Sequence, residues 1–441
     1  MPQATFHFPT GFLWGTATAA HQVEGNSSNN NWSAWEAGPG HIINDHRSGL
    51  ACDWWGGRWK EDLDRAAETG QNAHRFSVEW SRIQPNPDRW DEDALDYYRQ
   101  ILRGMAERGI TPMVTLHHFT DPLWLAERGG WENEETPALF AAFTRRVVDA
   151  LKEYCTLWTT INEPNVYTYS GYIEGMFPPG KKDSAAAFQV MRNLVRGHAG
   201  AYRVIHEVQR QARAGIALNY RGFLPAHPGF PADQWMCNLL SQNYNDAFNR
   251  ALVDGRLNFL FKHDSIPEAA HTQDFIGVNY YTTDLVSFRP LAAKNFFHSR
   301  AYPKNAPLST TGFIAHVPTG MWQALEWAKG FNLPILITEN GVEDVDDRLR
   351  PRYLIEHLHQ IWRGVNFNWP IKGYFHWSLV DNFEWERGWT QRFGLWGLDV
   401  ETQARIRRPS VDLYAAVCQS NAISYDLVDK YSPASLPLLF P

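Results

Sequence analysis

The sequence predicts an α/β protein, a single (β/α)8 barrel spanning residues 1–441. Three observations carry that expectation. Short apolar runs rich in β-branched residues recur along the chain, each ending in polar residues. Stretches with apolar residues three and four apart, the spacing of an amphipathic helix, lie between them. No low-complexity linker or change in composition divides the chain. Strands that alternate with helices imply βαβ units and a parallel sheet, and eight repeats suggest a sheet closed into a barrel. An open doubly wound sheet would carry a Gly-rich fingerprint after its first strand, and the sequence has none there.

The elements can be read in order. The first run, 12–18, is followed by a helical pattern at 59–68, WKEDLDRAAE. Run 73–78 precedes the helix 94–108, run 112–117 precedes 136–151, and run 157–162 precedes 185–210. Runs 215–219 and 275–280 come next, the latter leading to a helix at 321–328. Run 334–339 precedes 353–364, and run 371–377 completes the set. Short apolar runs bounded by breakers suit strands buried on both faces.

Composition excludes several classes. The net charge is −7 and no basic block exists, so a nucleic-acid-binding face is not expected. No apolar stretch reaches 18 residues, so nothing is expected to span a membrane. The start, MPQATFHFPTGFLWG, lacks a basic region followed by an apolar run. Cys52, Cys155, Cys237 and Cys418 show no CxxC spacing. These features fit the reducing cytoplasm, with neither a zinc site nor a disulfide framework. Aromatic residues make up 14% of the chain, with 20 Trp. Most should be core; the excess hints at a carbohydrate site, because aromatic faces stack on sugar rings. Oligomeric state is not written in the sequence.

In a barrel of this kind the chemistry sits at the C-terminal ends of the strands. The tails to inspect are therefore His74-Arg75, His117-His118, Asn162-Glu163, Asn279-Tyr280-Tyr281, Glu339-Asn340 and the segment after Trp377. Glu163 and Glu339 each follow an apolar strand and precede a Pro or Gly turn. One such Glu would be an ordinary loop residue. Two, on the fourth and seventh strands, would face each other across a barrel mouth. Paired carboxylates are what glycoside hydrolysis needs, and a separation of about 5–5.5 Å gives retention through a glycosyl-enzyme. Other motifs read more plainly. His117 and His118 point to opposite faces, which suits one packed and one ligand-facing histidine better than a metal pair. The acidic run 343–347 (EDVDD) and the basic run 405–408 (RIRR) read as solvated surface segments. The Trp-rich stretch 54–59 reads as core packing.

Seven segments together resemble glycoside hydrolase family 1, the β-glucosidase family. They are FPTGFLWGTATAAHQVEG (8–25), HRFSVEWSRI (74–83), TLHHFTDP (115–122), TINEPN (160–165), DFIGVNYY (274–281), ITENG (337–341) and GYFHWSLVDNFEW (373–385). The resemblance implies a retaining β-glycosidase that removes terminal non-reducing sugars. Glu163 would be the acid/base and Glu339 the nucleophile. Arg75 and Tyr281 would support the nucleophile, with Asn279 beside them. Gln22, His118, Asn162, Glu384 and Trp385 would bind sugar hydroxyls, over the Trp377 platform flanked by Phe393.

A carboxylate at Glu384 argues for sugars without a 6-phosphate, which it would repel. Glucose is the expected glycone, with galactose and fucose as secondary ones, and cellobiose or an aryl glucoside as typical substrates. No metal or organic cofactor is implied. The chain departs from the family pattern at His74, Phe119, Asn165 and Phe313, where relatives carry Tyr or Trp. Because Asn165 stands on the usual leaving-group wall, a mainly transglycosylating enzyme is an alternative. A non-catalytic sugar-binding protein is another, disfavoured because both glutamates are present.

Overall fold

A computed structural model describes residues 4–292 and 296–441. Eight strands form the barrel: β1 (Leu13–Ala17), β2 (Ala73–Ser77), β3 (Thr111–His117), β4 (Leu157–Asn162), β5 (Arg213–Pro225), β6 (Phe275–Phe288), β7 (Ile335–Asn340) and β8 (Ile371–Trp377). Each pairs in parallel with the next, and β8 pairs with β1 to close the ring. The helices that follow them in turn are α1 (Trp59–Glu68), α2 (Glu92–Glu107), α3 (Thr136–Leu151), α4 (Ser184–Val208), α5 (Ala247–Asp254), α6 (Pro318–Lys329), α7 (Arg350–Asn366) and α8 (Pro409–Ser420). The predicted (β/α)8 architecture is the one observed.

Local chemistry explains several boundaries. The side chain of Asp91 accepts a bond from the Ala94 N–H and so caps α2, and Asp183 does the same for α4. Proline opens α3, α6, α7 and α8, where its missing N–H costs nothing. Strands β5 and β6 run past the barrel as a ribbon, longer than the expected 215–219 and 275–280, and His298–Ala301 adds antiparallel to it. The core is strongly aromatic: Trp14, Trp32, Trp80, Trp131 and Trp158 are all fully buried. In the 54–59 stretch, Trp54 and Trp59 are buried, as the core-packing reading required.

Two surface readings are corrected. In the acidic run, Glu343, Asp344 and Asp347 are buried. Glu343 accepts bonds from the Thr311 N–H and hydroxyl, Asp344 accepts from the N–H groups of Leu349 and Arg350, and Asp347 pairs with Arg350. Asp344 and Asp347 close the start of α7, and Glu343 ties down the segment at Thr311, rather than facing water. In the basic run, Arg405 pairs with buried Asp62, and Arg408 grips Asp381 with two bonds at 2.8 and 2.9 Å. Charge alone gave no sign of these partners, which lie far away in the sequence.

The Arg408–Asp381 pair is a stability determinant. Asp381 also accepts from the N–H groups of Gly394 and Leu398, so it anchors the segment after β8. Removing one member of a buried, bidentate pair strands the other, at about 3–5 kcal/mol. Arg408→Met should therefore lower the urea midpoint substantially with an unchanged slope; an unchanged midpoint would contradict this role.

Candidate active site

The two glutamates emerge where the barrel ladder is irregular. Register shifts fall between Thr159 and Asn162 on β4 and between Ile337 and Glu339 on β7. Such irregularities re-aim the side chains that follow. Glu163 has φ of +44°, a left-handed conformation that is rare outside glycine. Its N–H bonds the Ala217 carbonyl of β5 at 2.7 Å, and Pro164 starts the next helix directly. Strained backbone of this sort concentrates at functional sites. On β7 the chain turns at Gly341, where a Cβ would lie 2.0 Å from the Trp377 carbonyl oxygen. No larger residue fits that approach.

Arg75 on β2 joins the two strand ends. It is fully buried, with Nη1 donating to Glu339 Oε1 at 2.6 Å, Nη2 to Asn162 Oδ1 at 2.7 Å, and Nε to Thr115 Oγ1 at 3.1 Å. The Tyr281 hydroxyl donates to the other Glu339 oxygen at 2.7 Å, and Phe393 lies edge-on to the Tyr281 ring. Glu163 receives different partners. Its Oε1 accepts from the side-chain amides of Asn219 and Asn279, both at 2.9 Å. Asn279 is itself aimed by Thr338, whose hydroxyl bonds its Oδ1 at 2.6 Å.

These partners set the two carboxyls apart. Burial pushes Glu163 up to about 8, and the charge of Glu339 adds to the rise. Burial raises Glu339 as well, but the Arg75 cation and the Tyr281 hydroxyl oppose it. A cation in contact favours the ionised form, while neutral amides do so more weakly. The arrangement therefore favours the ionised form more strongly at Glu339 than at Glu163.

The remaining residues lie to one side of this pair. Asn162 Nδ2 donates to His118 Nε2 at 3.0 Å, so His118 carries its proton on Nδ1. Burial first, and then the nearby Arg75 charge, holds His118 well below the usual imidazole range, so it is neutral. The His118 ring packs nearly parallel to Trp377 and Trp385, with centroids 6.0 and 5.8 Å away. Trp377 Nε1 donates to Glu384 Oε1 at 2.9 Å. Gln22 bonds the Phe383 carbonyl at 2.8 Å, which sets it beside Glu384. Its Oε1 is buried without a donor among the described residues, an acceptor suited to a hydroxyl. Eleven of the twelve residues given site roles are linked by such contacts, and Gln22 joins them through Phe383.

Burial also pushes Glu384 up to about 8. A carboxyl raised in this way carries less charge near neutral pH than an ordinary glutamate, so its repulsion of a phosphate is weaker than its sequence suggests. His117 packs away from the site, against Asp121 and Trp131. Asn219, Thr115 and Thr338 were not singled out in the sequence. Asn219 ends the expected fifth strand, and the same strand-end rule would have found it. The two threonines carry no comparable signal, because an inward threonine reads as ordinary strand composition.

This combination of barrel and strand-end pair has a clear counterpart among known proteins. The chain matches the family model "Glycosyl hydrolase family 1" over residues 4–423. The chain belongs to glycosyl hydrolase family 1. Beta-glucosidase A of Thermotoga maritima is 36% identical across 94% of this chain and 98% of that one. The beta-galactosidase of Pyrococcus woesei is 28% identical, over 95% and 98% of the two chains. Among solved structures, a beta-glycosidase from Pyrococcus horikoshii superposes with a TM-score of 0.90 at 35% identity, covering 97% of this chain and 98% of that one. The Thermotoga maritima beta-glucosidase in complex with glucoimidazole gives 0.89 at 34% identity, covering 95% of this chain and all of the other. Relatives of both kinds make this glycosyl hydrolase family 1 chain a β-glycosidase.

Its departures from the family pattern lie around the glutamates without displacing them. Phe119 is buried at φ +69° and packs against His118 and Trp385. His74 is buried on the face of β2 opposite Arg75, bonded to Thr16 Oγ1 at 3.0 Å with the Trp54 ring 5.7 Å away. Phe313 is partly exposed beneath the Arg387 guanidinium. Asn165 was expected on the leaving-group wall, but it is fully buried, and its Nδ2 donates to the carbonyls of Asn219 and Tyr244. Its Oδ1 is buried without a donor among the described residues. Among the described residues, no helix is long and apolar enough to cross a membrane.

Proposed function

We propose that this β-glycosidase is a retaining β-glucosidase, acting as one catalytic domain in the cytoplasm on small β-glucosides without a cofactor. The observation that carries this reading is the unequal environment of two strand-end glutamates, one held by an arginine and a tyrosine and the other by amides. Glu339, as carboxylate, attacks the anomeric carbon. Glu163 protonates the departing oxygen, and then takes a proton from the water that releases the sugar. Asn162 holds the 2-hydroxyl, a contact that strengthens in the transition state. Gln22, His118, Glu384 and Trp385 hold the other hydroxyls above Trp377. Named beta-glucosidases among the relatives support glucose as the glycone, and the beta-galactosidase relative supports galactose as a secondary one. The argument for a mainly transglycosylating enzyme rested on an altered wall at Asn165, and that side chain points inward.

The test is a panel of aryl β-glucosides, β-galactosides, β-fucosides, cellobiose and a β-glucoside 6-phosphate, with the first-formed anomer followed by proton NMR. The expected result is release of β-glucose first, with kcat/KM for the 6-phosphate at least about 100-fold lower. Initial α-glucose would overturn retention, and a preference for the phosphorylated substrate would overturn the glycone assignment.

A further inference from the structure

Asn165 poses a question that the reaction does not answer: what a buried asparagine does next to the proton donor. Its Nδ2 donates to two backbone carbonyls, Asn219 at 2.8 Å and Tyr244 at 3.0 Å. Carbonyls only accept, so the orientation of this amide is unambiguous. Tyr244 lies on the turn Gln242–Asp246, a single π-type turn between Pro231–Ser241 and α5. Turns of this type are frequent at functional sites. The Tyr169 ring, 5.1 Å away, and the Phe223 ring hold the tyrosine in place. Its hydroxyl donates to Asn219 Oδ1 at 3.2 Å, and Asn219 Nδ2 donates to Glu163 Oε1 at 2.9 Å.

We propose that Asn165 and Tyr244 are positioning residues which, through Asn219, orient the carboxyl of Glu163. The inference rests on the reading of Glu163 as the acid/base and deepens it. Asn165 fixes the turn relative to β5 at Asn219. Tyr244 then occupies Asn219 Oδ1, so Asn219 must present its N–H to Glu163. Without the Tyr244 hydroxyl, Asn219 is free to rotate by half a turn and offer its oxygen instead. An N–H donor favours the ionised carboxyl, whereas an oxygen acceptor favours the protonated one. Tyr244 thereby influences both the aim and the proton affinity of a group that it does not touch.

The other groups facing Glu163 stay constant when Tyr244 changes. Glu339 faces it from β7, Arg75 from β2 and Asn279 from β6. A shift on removing one hydroxyl is therefore attributable to the Asn219 link.

The experiment compares Tyr244→Phe and Asn219→Ala with the parent enzyme, following kcat/KM against pH for cellobiose and for 2,4-dinitrophenyl β-glucoside. Both variants should move the basic limb of the cellobiose profile upward, by about half a pH unit. Both should lose about tenfold on cellobiose, which needs an aimed proton donor, and stay within about twofold on the dinitrophenyl substrate, which does not. A merely structural role would lower both substrates together and leave the limb in place, and that result would overturn the proposal. Glu163→Ala, run alongside, separates the two layers. If the limb survives in Glu163→Ala, the acid/base reading falls and this inference falls with it. If the limb is lost there but unmoved in Tyr244→Phe and Asn219→Ala, this inference alone is wrong.

Discussion

Glu339→Gln is expected to abolish turnover on every substrate while leaving a folded barrel. Glutamine has the size of the carboxylate and can still accept one of its two bonds, from Arg75 Nη1 or from the Tyr281 hydroxyl. Arg75 keeps Asn162 and Thr115 as partners, so it is not stranded. What disappears is the nucleophile, because an amide neither carries the charge nor forms the covalent bond. The loss should be on the order of 10⁴-fold in kcat/KM, and alike for good and poor leaving groups. A chromogenic aryl β-glucoside assay and a thermal melt together decide it. A folded variant that keeps more than about a hundredth of the activity would sink the assignment.

Glu163→Ala should behave differently, and the difference is the diagnostic. Proton donation matters in proportion to how poor the leaving group is, with general acid catalysis worth about 10²–10⁴-fold. Cellobiose turnover should fall by that factor, while bond cleavage in a dinitrophenyl glucoside should be little changed. The pH profile gives a second reading. With Glu163 raised to about 8, the acid form is present below that pH and is lost as pH rises through it. The parent kcat/KM for cellobiose should therefore decline on the alkaline side, near pH 8, and that decline should be absent from the residual cellobiose activity of Glu163→Ala. Equal losses on both substrates, with the decline retained, would count against the acid/base role.

Much of this was legible before any coordinates, and for identifiable reasons. Most of the barrel strands begin as short apolar runs, several of them β-branched, so they stand out from the helices around them. Their polar ends carry Glu163, Glu339, Arg75, Asn162 and Tyr281, because the fold places its chemistry there. Legibility ended where partners are distant or polar patterns mislead. The ribbon beyond Asn219 and Tyr280 (YRGFLP and YTTDLVSF) mixes Arg, Gly, Pro, Asp and Thr with apolar residues and gave no buried-strand signal. Helices α5 and α8 were not read: one follows the polar stretch SQNYND, and the other opens on a proline. The run RIRR read as solvated charge because its counter-ions lie elsewhere in the chain, as Asp62 does for Arg405, while EDVDD read so because nothing in the run shows that its carboxylates turn back onto Thr311 and the nearby start of α7. Asn165 read as part of a wall because sequence does not say which way a side chain turns.

Arg75 has a consequence for the whole catalytic cycle that follows from electroneutrality. It is a permanent cation in a site from which water is largely excluded, and such a cation calls for one compensating negative charge at each stage. On the proposed mechanism Glu339 supplies it in the free enzyme, where Glu163 holds its proton. On the proposed route, Glu339 becomes an ester and its charge is gone, while Glu163 has just given up its proton. The single negative charge has passed from one carboxyl to the other, and the guanidinium is never left alone. The same transfer removes the repulsion that kept Glu163 protonated, so the group that began as an acid is already the base which the second half of the reaction requires.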